Sequence, residues 1–168
     1  KKKKKKKDTR LTRTGSIMMG RNEVVEVPIN VDGKIIVGLG WKGKQFAMDA
    51  SCLMFRYKQH KDDVYKFKPR SKDGAVVHKV GWTGGLGLIS TIEGSDIHQI
   101  DVNLRKLTDK VNTLVFVVTL FTPGANFSEI QDSYVRLIDS NSSKEYCRYT
   151  IEASGKETAK IMCKLFRY

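Results

Sequence analysis

The sequence predicts an all-β domain, an antiparallel two-sheet β-sandwich. Three observations point that way. Apolar and β-branched residues recur at every second position through much of the chain. Turn-forming residues interrupt these runs at short intervals, as they do in sandwiches. No segment carries an apolar stripe at the helical period of about 3.6 residues.

The alternation starts after Asn22, where Val24, Glu26 and Pro28 alternate with Val25, Val27 and Ile29. Asp32-Gly33 is a hairpin signal between Pro28–Val31 and Lys34–Val37. The next strand spans Ala47–Tyr57; a polar break at His60–Asp63 separates it from Val64–Lys68. Lys72-Asp73-Gly74 marks a second turn ahead of Ala75–Val80, and a glycine-rich loop follows over Gly81–Gly94. Ile100, Val102 and Leu104 read as one face of a half-buried strand. Leu114–Phe121, eight apolar or β-branched residues in a row, reads as a strand buried on both faces. Tyr134–Ile138, Tyr146–Ile151 and Thr158–Tyr168 complete the set, with a polar turn at Asp139–Lys144. Helix is expected at most for one turn, within Ser128–Asp132.

The chain has 168 residues, the size of one domain, and a net charge of +13. That charge is unevenly placed. Residues 1–19 hold nine Lys or Arg against one acid, whereas residues 20–168 hold 22 basic and 17 acidic side chains. The expected organisation is therefore a basic tail over 1–19 and a sandwich domain over 20–168. Lys1, Lys2, Lys3, Lys4, Lys5, Lys6 and Lys7 form a homopolymer that buries nothing and repels itself. Such a run suits an acidic surface (protein, nucleic acid or anionic lipid), which it meets by counterion release without reading a sequence. The bland alternative is a solvated tail.

Cys52, Cys147 and Cys163 are odd in number, and the chain has no CxxC or Cys/His ligand spacing, so neither a zinc site nor a disulfide framework is expected. Free thiols and the lack of a span of about 18 apolar residues point to the cytoplasm. The sequons at Asn126 and Asn141 stand without a secretion signal.

Gly38-x-Gly40-x-x-Gly43 matches the spacing of a dinucleotide fingerprint. That chemistry needs a helix to follow, and Lys44–Ser51 has no helical stripe. The glycines are expected instead to serve turns and close strand packing. His60, His78 and His98 lie in separate segments, with no catalytic motif around them, and Cys52 alternates with Met54 like a core residue. No enzymatic activity is expected. The loop over 81–96 offers Glu93 and Asp96, with Asp49 from elsewhere, as oxygen ligands for a hard cation such as calcium. A plain surface loop anchored by Trp82 is the alternative.

A series of ordered motifs resembles one family. Val37-Gly38-Leu39-Gly40-Trp41 with Met48-Asp49-Ala50-Ser51 resembles "VGLGWD…FDLDAS", and Ser71–His78 resembles "SPDGSVVH". Gly81–Gly84 is similar to "GDNLTG", Val115–Thr119 to "FVVTI", Asn126-Phe127 to the following "NF", and Tyr134–Asp139 to "AFIRIVD". Glu157-Thr158-Ala159 and Leu165–Tyr168 resemble "ETA…LYRH". Together these resemble the tellurium-resistance (TerD) family, which includes cyclic-AMP-binding proteins of slime moulds. The resemblance implies a two-sheet sandwich without enzymatic activity, calcium in loops at one end, and roles in stress response.

Position by position, most of the implied acids are missing. The first Asp of "FDLDAS" is Ala47, leaving Asp49; Lys42 replaces the Asp of "GWD"; Trp82 replaces the Asp of "GDN". The family's acidic run falls on Asp96, Ile97 and His98, while Glu93 has no secure counterpart. The remaining candidate metal ligands are Asp49, Glu93 and Asp96, with calcium the one cofactor to consider. The expectation is a structural or interaction module within a larger assembly, in the cytoplasm, free or attached to cytoskeleton or a membrane surface. The alternatives are a calcium- or cyclic-nucleotide-binding signalling protein and an electrostatic nucleic-acid binder.

Overall fold

The computed structural model describes residues 15–27, 32–42, 46–80, 96–151 and 155–167. Ten strands appear among them: β1 (Ile17–Met18), β2 (Lys34–Lys42), β3 (Met48–Arg56), β4 (Gln59–Val64), β5 (Val76–Val80), β6 (His98–Asn103), β7 (Thr113–Leu120), β8 (Gln131–Asp139), β9 (Glu145–Thr150) and β10 (Ala159–Phe166). They form a six-stranded sheet, β1-β9-β8-β2-β6-β5, and a four-stranded sheet, β10-β7-β3-β4. The pairings are antiparallel except β1 with β9, which is parallel. The expected sandwich is thus present, with one parallel exception.

The two-residue period decides which side chains meet. Ile35, Val37 and Leu39 of β2 and Ile100 and Val102 of β6 face Cys52, Met54 and Phe116 of the other sheet in one core. All three cysteines are free, and Cys52 sits fully inside this core. Its neighbours on alternating positions are apolar, so it packs there as a small hydrophobe.

Several local expectations change. The polar stretch His60–Asp63 lies within β4 and is no break. β4 is an edge strand, and Asp62 is satisfied from outside the ladder by Lys68 Nζ at 2.6 Å and by the Lys72 N–H at 2.8 Å. β7 is apolar or β-branched throughout, yet only Leu114, Phe116, Val118 and Leu120 are buried; Val115, Val117 and Thr119 are half-buried on the outer face. A continuous apolar run therefore signalled one buried face, not two. The single helical turn lies at Phe127–Glu129 and is capped by Asn126. Ordered structure begins before residue 20: Ile17 and Met18 pair with Cys147 and Arg148, and Ser16 is buried. Lys1–Lys7, the first arm of the hairpin at 28–31, Gly43 and the loop 81–95 with Trp82 and Glu93 lie outside the described residues.

Gly38 and Gly40 fall in the middle of β2, with no helix after them. The dinucleotide reading loses its geometry there, since the fingerprint needs a strand-to-helix turn. Their role is close approach. A Cβ on Gly40 would stand 2.5 Å from the ring of Tyr134, and one on Gly38 would collide with the carboxylate of Asp96.

Candidate functional site

The two described acids expected as calcium ligands lie in different settings. Asp96 lies over Gly38 on the outer side of the six-stranded sheet. Gly38 pairs with Arg136 on one flank and Gln99 on the other. That row delivers donors to both carboxylate oxygens. Arg136 Nε donates to Oδ1 at 2.7 Å and its second terminal nitrogen to Oδ2 at 2.9 Å, a two-point guanidinium–carboxylate pair. The Tyr134 hydroxyl donates to Oδ1 at 3.0 Å and Gln99 Nε2 to Oδ2 at 3.1 Å. The Asp96 side chain is 0% exposed. Burial and the Asp96 negative charge push the Tyr134 phenol up to about 12. Arg136 also reaches Glu145, which Arg148 and Ser16 hold in turn. The Arg148 guanidinium lies 4.2 Å from the Tyr134 ring centre.

Asp49 opens β3 and meets two residues that the motif reading set aside. His78 of β5 and His98 of β6 both share the inward face with Val76, Ile100 and Val102. The β5–β6 register opposes His78 to Ile100, which makes His98 its diagonal neighbour. His78 Nε2 and His98 Nδ1 stand 3.2 Å apart. Asp49 Oδ1 lies 3.6 Å from the first and 3.7 Å from the second. All three residues are buried. Asp49 belongs to the four-stranded sheet and both histidines to the six-stranded one, so this cluster bridges the sandwich.

The cluster is held in place by its surroundings. The Ala50 N–H donates to Asp49 Oδ1 at 3.0 Å and the Lys66 N–H to Oδ2 at 3.3 Å. Trp41 stacks on the His98 ring, centres 5.5 Å apart at 24°. Burial lowers both histidines against the pull of Asp49, His98 to about 4, with His78 adding to the effect there. Burial thus favours the uncharged form of both rings, and across their 3.2 Å contact one ring nitrogen donates its N–H to the other.

This arrangement fits calcium poorly. Calcium takes six to eight oxygens. Asp96 has both oxygens committed to Arg136, Tyr134 and Gln99, and Asp49 shares its site with two nitrogens. The structure does not bring Asp49 and Asp96 into one described cluster, and Glu93 lies outside the described residues. The histidines carried a usable signal. His98 falls on the alternating face of Ile100 and Val102 and takes the place of a family acid. The pairing that brings His78 beside it spans residues 81–95, and no motif spacing encodes that register.

The sequence model of the TerD domain matches residues 16–168. The chain belongs to the TerD family. It is 26% identical over 157 residues to the stress response protein SCP2 of Bacillus subtilis (strain 168), covering 80% of this chain and 76% of that protein. It is 28% identical over 112 residues to chemical-damaging agent resistance protein B of Clostridium acetobutylicum, covering 64% and 76%. The fold of this TerD domain is similar to that of SCO6318 from Streptomyces coelicolor A3(2), described as a homologue of the telluride resistance protein TerD. The TM-score is 0.61 at 15% identity, over 81% of this chain and 82% of that one. Among the described residues, no helix is long and apolar enough to cross a membrane.

Proposed function

We propose that this TerD domain is a non-enzymatic structural and interaction module of a cytoplasmic stress response, and that it works without calcium. One observation carries the reading. Asp96, which falls on the family's acidic run, is fully buried in a two-point pair with Arg136 and is capped by Tyr134 and Gln99. Arginine keeps its charge at any ordinary pH, so this carboxylate is a fixed structural anion and not a ligand held in reserve. The resemblance to SCP2 and to chemical-damaging agent resistance protein B supports the stress-response setting. The Lys1–Lys7 run supplies an electrostatic handle for an acidic partner in a larger assembly.

Titration calorimetry with calcium chloride tests the reading. No saturable heat is expected. A micromolar calcium signal that disappears in Asp49→Ala and Asp96→Ala sinks it and restores the ligand-binding alternative.

A further inference from the structure

We propose that Asp49, His78 and His98 form a binding site for one borderline divalent metal ion of the zinc and cobalt(II) class. This goes beyond the module reading and does not depend on it.

The spacing of the three donors carries the inference. His78 Nε2, His98 Nδ1 and Asp49 Oδ1 are separated by 3.2, 3.6 and 3.7 Å, so the centre of their triangle lies about 2.0 Å from each, and a point about 0.6 Å off its plane, where a tetrahedral ion sits, lies about 2.1 Å from each. Zinc bonds to histidine nitrogen and to carboxylate oxygen are about 2.0–2.2 Å long. Calcium bonds are longer, about 2.3–2.6 Å, and calcium prefers oxygen throughout. The donor set of two imidazoles and one carboxylate belongs to zinc and its neighbours. It leaves the fourth tetrahedral position for water or a further donor.

A metal ion binds an imidazole lone pair, so its entry displaces the proton that His78 Nε2 and His98 Nδ1 share across their 3.2 Å contact. The surroundings also fix the donors' aim. Backbone N–H groups of Ala50 and Lys66 orient the Asp49 carboxylate, and Trp41 backs the His98 ring. The Lys66 charge acts on His98 and opposes any cation there. Strong nitrogen bonds offset that repulsion for zinc, whereas calcium gains little from nitrogen.

The ion's consequence follows from where the ligands sit. Asp49 belongs to the four-stranded sheet and both histidines to the six-stranded one. One ion therefore ties the two layers together, and it stabilises the folded chain by mass action.

The test uses the full, untagged chain, stripped with a chelator. Zinc is titrated by calorimetry, cobalt(II) by visible absorption, and calcium is added in about thousandfold excess as competitor. One zinc per chain is expected, with a tetrahedral cobalt spectrum, a chelator-reversible rise in melting temperature, and no displacement by calcium. His98→Gln and Asp49→Asn should each weaken zinc at least about tenfold, while His60→Gln, on the exposed edge strand β4, leaves it unchanged. The spectrum of the unmutated chain keeps the test decisive if a variant fails to fold. Absence of saturable zinc or cobalt binding overturns the proposal and leaves the module reading intact. Zinc binding that survives in folded His98→Gln, or a cobalt spectrum dominated by sulfur charge transfer, also overturns it. Tight calcium binding at the same residues overturns both.

Discussion

Asp49 and Asp96 are the same residue type, both marked by sequence as remnants of a cation site, and the fold gives them opposite partners. Asp96 lies outside the six-stranded sheet against a guanidinium, a phenol and an amide. Asp49 lies near the start of β3 against two imidazoles of the other sheet. The difference shows what turns an acid into a strut or into a ligand. A guanidinium holds its proton and saturates the carboxylate. A neutral imidazole adds a lone pair to it. One acid is thus spent on holding the chain at residue 96 to the sheet, and the other stays chemically open.

Removing the cation from the Asp96 side is the strongest way to break this comparison. Arg136→Ala leaves a carboxylate whose remaining donors among the described residues are Tyr134 and Gln99. Loss of one partner of a buried pair costs about 3–5 kcal/mol. Arg136 keeps 22% of its side chain exposed, so the lower end of that range is expected. Urea denaturation should register it as a lower midpoint. A loss below about 1 kcal/mol would mean that Asp96 is not a structural anion at all.

A smaller effect is expected at Gly40, and here the sign is informative. Alanine in place of glycine within a strand ordinarily gains about 0.5–1 kcal/mol. At this position the added Cβ would stand 2.5 Å from Cε1, Cζ and Oη of Tyr134. Overpacking of this kind costs about 1–3 kcal/mol, so Gly40→Ala should be destabilising by about 1–2 kcal/mol net. A stabilised variant would show that Tyr134 moves off the sheet easily, and the Asp96 clasp would lose its rigid frame.

Sequence reading reached the sheets more readily than the sites, for physical reasons. Alternation in Ile35–Leu39 and Ile100–Val102 is a local property, and it reports the buried face directly. It fails where a strand's outer face is also apolar, as with Val115 and Val117, and where an edge strand is polar, as with His60–Asp63. Glycine spacing suggested close packing, yet which side chain comes close depends on β2–β8 register. The sites are harder still. Arg136 and Asp96 are 40 residues apart, and His78 and His98 are 20 apart across a loop. Nothing local specifies those meetings. Counting acids therefore retained Asp96, which is committed elsewhere, and passed over the two histidines beside Asp49.

The subtlest contrast between the two acids is chemical and appears at high pH. The Tyr134 hydroxyl donates to Asp96 Oδ1, and its phenol is pushed up to about 12 from an ordinary 10. The folded state thus favours the protonated phenol. Its contribution is complete below about pH 10 and fades as pH rises from about 10 towards 12, because the unfolded chain releases that proton first. Tyr134→Phe keeps the ring under Arg148 but removes the donor, at a cost of about 1 kcal/mol at neutral pH. The variant's stability should then fall less steeply than the parent's between about pH 10 and 12, which urea midpoints across that range would register. Parallel curves would mean that the phenol does not sense Asp96, and that the clasp consists of Arg136 and Gln99. Among the described residues no phenol donates to Asp49, so Asp49→Asn should leave this alkaline limb where it was.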